Sequence, residues 1–329
     1  MYQGNDAIGG YFELELPHGR EYHESALKLN SGRHCLEYIL RLRGYSKIWI
    51  PYYTCRVVLE PIIKLGLEYD FYHINKNLEP LFCYESLCEN DAFLYTNYFG
   101  LKNRQIKSLP TKYNIIVDNS MAFFASPLPT FDTFYSARKF FGVPDGAYLY
   151  TYDGSQLGVE IPDTISNQRF SHLLRRIEFG AEAGYADFKA NDAAFSGQAI
   201  MRLSRITERI LSSIDYEYIE SRRFENFSFF NLHLGQYNLL SEDLCKAIDG
   251  VPLVYPFVVE KPGLREILIS NRIYVAQYWP YLACEPGNGS MEQLLTEQLI
   301  ALPIDHRITQ NSLVTILTIV NDWINHNVG

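Results

Sequence analysis

Asn114-Ile115-Ile116-Val117-Asp118 and Phe134-Tyr135-Ser136-Ala137-Arg138-Lys139-Phe140-Phe141-Gly142 are the two stretches on which the reading of this chain turns. The first is a short apolar run closed by a carboxylate, the pattern of a buried strand. The second is another strand-like run that leads to a lysine and a glycine turn, with Asp145-Gly146 close behind. Asp118 precedes Lys139 by 21 residues. A strand ending in Asp, a second strand, and a lysine before a glycine turn is the layout of a pyridoxal-phosphate site. The lysine amine would hold the cofactor as a Schiff base, and the aspartate would keep the pyridine nitrogen protonated so that the ring acts as an electron sink. The plain alternatives are a strand-ending turn residue at Asp118 and a solvated surface lysine at Lys139. Against them stand Phe140, Phe141 and the flanking strand-like runs, which predict that Lys139 points into a pocket where desolvation weakens its preference for charge.

Outward from this pair, short β-like runs alternate with helical patterns from about residue 27 to 151. Strands are expected at Leu27–Leu29, Ile48–Ile50 (stopped by Pro51), Glu68–Ile74, Ala92–Thr96, Ile115–Asp118, Thr133–Ser136 and Ala147–Thr151. Cys35 to Arg43 carries apolar residues at helical spacing, and Val57, Val58, Ile62, Ile63 and Leu65 do the same up to a C-cap at Gly66. Strands alternating with helices imply an α/β fold with a mostly parallel, seven-stranded sheet covered on both faces. A helical stretch follows from about Phe170 to Arg223. The pattern then restarts, with a strand at Val254–Val259, a helix at Leu264–Ser270, a strand at Ile273–Tyr278 and a last helix over about 310–325. We expect a large domain over residues 1–205 and a small C-terminal α+β domain over 206–329.

Ser31-Gly32-Arg33, between the first strand and the first helix, is a candidate phosphate cradle. A helix N-terminus offers free amides, glycine lets the backbone come close, and Ser and Arg add a hydroxyl and a charge. Ser and Gly also start helices for capping alone. The cradle gains weight because it precedes Asp118 and Lys139 in the order such a domain requires.

The chain has 329 residues, 47% of them hydrophobic, and a net charge of -9, which gives no electrostatic reason to bind nucleic acid or an anionic membrane. An anionic substrate would need a local positive site. Six cysteines (Cys35, Cys55, Cys83, Cys88, Cys245, Cys284) include no CxxC pair, the usage of reduced thiols. The polar N-terminus shows no signal peptide, and no run reaches the ~20 apolar residues of a membrane span. These features together predict a soluble cytoplasmic protein without a metal site.

In these segments the chain resembles the DegT/DnrJ/EryC1/StrS family of sugar aminotransferases, of the aspartate-aminotransferase superfamily (fold type I). Leu29-Asn30-Ser31-Gly32-Arg33 stands where the family has its phosphate turn, and Ile48 to Thr54 is similar to its segment ending in Pro-x-x-Thr. Thr96-Asn97-Tyr98-Phe99-Gly100, Ile116 to Ser120, Lys139 with Gly142, Asp145 and Gly146, and Leu302 to Thr309 follow in family order. The chain departs from the family at Met121, where a Gln usually contacts the cofactor. It departs also at Cys55, where an aromatic stacks on the ring and Tyr53 or Asn97 would substitute. Arg33 stands for a Thr, and Phe134 for a Ser, leaving Ser136 as the nearest hydroxyl.

The resemblance implies a homodimeric aminotransferase acting on a nucleotide-linked keto sugar in surface-polysaccharide or related amino-sugar synthesis. An amino acid such as glutamate would donate nitrogen, and Lys139 would act as both Schiff-base and acid/base residue. The replacements leave two other readings open: a cofactor-binding or cofactor-free relative with a regulatory or assembly role, and a dehydratase using the same cofactor.

Overall fold

Each expected strand of the first half lies in a single sheet. It comprises β1 (Leu27–Leu29), β2 (Lys47–Pro51), β3 (Glu68–Ile74), β4 (Pro80–Leu81), β5 (Asp91–Thr96), β6 (Asn114–Asn119), β7 (Asp132–Ser136) and β8 (Ala147–Tyr150). The computed structural model describes residues 9–159, 161–240, 244, 248–280 and 289–327; Cys245 and Cys284 lie outside them. The order is β1-β8-β7-β6-β5-β2-β3-β4. Strands β3, β2, β5, β6 and β7 run parallel, and β8 is antiparallel to both its neighbours. The sheet therefore has eight strands rather than seven. The eighth, β4, pairs through only Leu81 with His73 and Pro80 with Ile74, too short a segment to leave a periodic signal.

All residues of β5 and β7 are buried, which is why their sequences read as continuous runs rather than as alternation. On one face, α1 (Gly32–Arg43) and α2 (Leu59–Leu65) pack Leu36, Ile39, Leu40 and Ile62 against Ile48, Leu94, Ile116 and Phe134. Both helices end on a left-handed glycine, Gly44 and the expected Gly66. The other face is a larger aromatic-rich core that runs from Phe93, Tyr95 and Phe123 on to Phe227, Tyr255 and Trp323.

The expected helical stretch is four helices: α4 (Ser171–Phe179), α5 (Ala181–Ala193), α6 (Arg205–Ser212) and α7 (Tyr216–Leu234), preceded by the short α3 (Asn103–Ile106). Between α5 and α6 the chain returns to β1, where Asn30 N–H donates to Met201 O and Leu203 N–H to Lys28 O. Then come β9 (Val254–Val258), α8 (Leu264–Ser270), α9 (Met291–Gln298), β10 (Leu299–Pro303) and α10 (Gln310–Asn327), with β9 and β10 antiparallel. The strand expected at Ile273–Tyr278 does not form. Only Ala276 makes a bridge, to Ala301, and of that run only Val275 is buried, too little to hold a strand against β10.

Gly146 fixes the turn beyond Lys139. Its φ is +118°, and a Cβ there would come within 3.0 Å of Leu203 and 3.1 Å of Thr207. Its N–H donates to Asn30 O at 2.8 Å, joining this turn to the start of α1.

Candidate active site

Parallel pairing of β6 and β7 sets Asp118 opposite Phe134 and Asn119 opposite Tyr135. Asp118 is buried, and its Oδ1 accepts from the Ser120 N–H at 2.8 Å. Its Oδ2 accepts no hydrogen bond among the described residues. The strand end is braced from β5: Asn97 N–H donates to Asp118 O at 3.0 Å, and Asn97 Nδ2 donates to Asn119 Oδ1 at 2.8 Å and Asn103 Oδ1 at 2.7 Å. Asn97 Oδ1 accepts from Lys102 N–H at 2.9 Å. The Asn97 amide thus holds the loop behind Asp118.

β7 ends at the buried Ser136 and passes into a single 3-10 turn, Ala137–Lys139. Such a turn rotates each residue by about a third of a revolution. Phe140 and Phe141 therefore enter the core while Lys139 stays exposed. The expectation of a pocketed, desolvated lysine is corrected here: the phenylalanines that suggested it point away from the amine. Lys139 Nζ donates to Ser120 Oγ at 3.0 Å, so Asp118, Ser120 and Lys139 form one connected group.

The start of α1 lies beside this group, since a Cβ on Gly32 would sit 3.8 Å from the ring of Phe134, the strand partner of Asp118. That distance is ordinary contact, so glycine is not required there by crowding. Ser31 is the N-cap: its Oγ accepts from His34 N–H at 3.4 Å and lies 2.9 Å from His34 Nδ1. The N–H groups of Gly32 and Arg33 find no acceptor among the described residues. Burial holds the His34 imidazole down to about 4. The Cys35 thiol is pushed well up by burial and then by the charge of Asp118.

Arg33 turns its guanidinium to α2, where Nη1 donates to both carboxylate oxygens of Glu60. Tyr53 is fully buried; its hydroxyl donates to Tyr278 O and its ring meets Trp279 edge-on at 4.8 Å. Met121 is buried in the aromatic core, Phe134 in the core under α1, and Cys55 is half-buried.

Sequence reasoning missed the role of Ser120 and, although it named Asp145, the partners of that carboxylate. Ser120 is the link between Asp118 and Lys139, and only its place two residues after Asp118 hints at it. Asp145 is buried and accepts from Ser204 N–H at 2.9 Å, from Ser204 Oγ at 2.7 Å and from the Thr207 hydroxyl, tying the glycine turn to α6. Burial raises its carboxyl above the usual range.

A mostly parallel sheet with β8 and the short edge strand β4 reversed, covered by helices, is the fold of the type I aminotransferases. Solved structures with this fold include DesV of S. venezuelae, 18% identical over 91% of this chain and 84% of that one, with a TM-score of 0.61. A DegT DnrJ EryC1 StrS aminotransferase of Brucella abortus is 16% identical over 91% and 85%, TM-score 0.61. A Streptococcus pneumoniae protein described as a sugar aminotransferase is 13% identical over 92% and 88%, TM-score 0.62, and has also been solved in PMP and PLP forms. No family model and no curated protein matches the chain.

Proposed function

We propose that this protein is a pyridoxal-phosphate-dependent aminotransferase acting on a nucleotide-linked keto sugar, with an amino acid such as glutamate as donor. The observation that carries the reading is the connected group Asp118–Ser120–Lys139 beside the free amides of α1. The donor set fits the cofactor. The unpartnered Asp118 Oδ2 suits a pyridinium N–H, the Gly32 and Arg33 amides suit a phosphate, and Lys139 is the amine within reach. Fold likeness to proteins solved with PLP and PMP supports the same choice of cofactor.

When bound, pyridoxal phosphate supplies the electron sink for a carbanion next to the transferred nitrogen. The residues do the rest. Asp118 would keep a proton on the ring nitrogen, and Ser31, Gly32, Arg33 and Ser136 would hold the phosphate, Arg33 through its main-chain N–H. Lys139 Nζ would hold the cofactor at rest and, once the donor's amino group has displaced it and left it a free amine, would take the proton from the donor's α-carbon and return it across the nitrogen. Asn97 would support the site from behind through its bonds to Asn119 and the Asp118 carbonyl, and Tyr53 through the packing around Tyr98. The reading includes a homodimer working in the cytoplasm, with residues 1–205 as the cofactor domain and 206–329 as the small one; among the described residues no helix is long and apolar enough to cross a membrane.

The test is an absorbance scan of the purified protein loaded with pyridoxal phosphate, with and without glutamate. A visible band that is absent in Lys139→Ala and is altered by glutamate supports the enzyme. Absence of any band after soaking identifies a cofactor-free relative, and wild-type turnover in Lys139→Ala removes the lysine from the mechanism.

A further inference from the structure

We propose that Ser120 is a positioning residue that holds Lys139 and Asp118 in fixed register. This deepens the aminotransferase reading and rests on it for its catalytic meaning, though not for its geometry. The main-chain N–H of Ser120 donates to Asp118 Oδ1 at 2.8 Å, and its Oγ accepts from Lys139 Nζ at 3.0 Å. One residue thus addresses the carboxylate through its backbone and the amine through its side chain.

The platform is rigid. Ser120 occupies a turn closed by Ala122 N–H donating to Asn119 O at 2.8 Å, and the next residue, Met121, is anchored in the core with 1% exposure. Asn119 is itself pinned through its Oδ1 by Asn97. The hydroxyl is therefore placed by groups that do not move with the lysine. Lys139, by contrast, is exposed and long, and makes no ion pair among the described residues. A flexible ammonium has many rotamers, and a fixed acceptor selects those that lie over the β6–β7 strand ends. In catalysis the same hydroxyl keeps Nζ on the side of the site where the proton is taken up and released.

The prediction separates two contacts that share one residue. Ser120→Ala removes Oγ and keeps the N–H, so Asp118 stays fixed while Lys139 is released. Ser120→Thr restores a hydroxyl on the same carbon. The experiment is reductive alkylation of the full chain with formaldehyde and cyanoborohydride, with the rate at Lys139 read by peptide mass spectrometry against Lys47 and Lys107 as internal controls. A hydrogen-bonded amine must give up its bond before it attacks, so Lys139 in Ser120→Ala should be modified about three- to tenfold faster, the scale of one such bond. The controls should be unchanged, and Ser120→Thr should return to the wild-type rate. In the cofactor-loaded protein, kcat should fall by a similar factor with KM held.

An unchanged Lys139 rate in Ser120→Ala overturns the proposal, as does a Thr variant that behaves like Ala. The alkylation readout needs neither cofactor nor substrate. A protein that fails as an aminotransferase can still pass it, and one that succeeds can still fail it.

Discussion

Arg33 and Glu60 are joined twice, Nη1 donating at 2.9 and 2.7 Å, and this pair ties the first turn of α1 to the first turn of α2. The guanidinium is thereby engaged on the helix side, while the Arg33 N–H stays free at the cradle. Replacing Arg33 by Ala keeps that N–H. Cofactor affinity should therefore weaken by less than about threefold, with a loss of stability of about 1 kcal/mol from the half-buried pair. Titration of apo-protein with pyridoxal phosphate, alongside urea unfolding, measures both. A tenfold or larger loss of affinity would mean that the side chain leaves Glu60 for the phosphate.

Asp118→Asn keeps an oxygen acceptor for the Ser120 N–H and removes the charge. The cofactor should stay bound while kcat drops by roughly 100- to 1,000-fold, the scale of losing one preorganised electrostatic contact. Equal rates and spectra in Asp118→Asn and wild type would reduce Asp118 to a turn residue.

His23 and His34 are both buried, and burial lowers each to about 4 from the usual 6.5. Below pH 6.5 the unfolded chain takes up these protons first, so stability falls as the pH drops from 6.5 towards 4. Each histidine should cost about 2 kcal/mol between pH 6.5 and 5. His23 bonds Phe123 O through Nε2 at 2.7 Å, a contact that Gln can reproduce. Urea midpoints at the two pH values should show a smaller acid loss in His23→Gln; the same loss in both proteins would contradict the assignment.

Asp132, with 2% side-chain exposure, accepts two bonds from Arg43 at 2.8 Å each. Arg43→Ala strands that carboxylate in the sheet and should lower stability by about 3 kcal/mol. Adding Asp132→Asn should recover part of the loss. Chemical denaturation of the two variants tests the pair, and equal stability of Arg43→Ala and wild type would show it to be solvated.

The parallel sheet was legible because its central strands β5 and β7 are buried on both faces and the strands are punctuated by turns; Ile48–Ile50 lies inside β2 and Ala92–Thr96 inside β5. The C-terminal part was less so. At Ile273–Tyr278 the residues are strand-like one by one, but among the described residues only Val275 is buried and only Ala276 bridges to β10, which tertiary context alone reveals. At the site, the adjacency of Asp118 and Lys139 followed from neighbouring strands. The exposure of Lys139 did not, because a 3-10 turn redirects successive side chains in a way that a Lys-Phe-Phe string cannot show. Nor could local sequence reveal that Arg33 would find Glu60, 27 residues away on another helix.

The hold on Asp118 comes from a main-chain N–H, and so it is indifferent to the identity of residue 120. Every amino acid but proline carries that donor. Mutation can change residue 120 alone, altering what happens to the lysine while the carboxylate stays in place. The tethers of the carboxylate and the amine can therefore be uncoupled by substitutions at a single position.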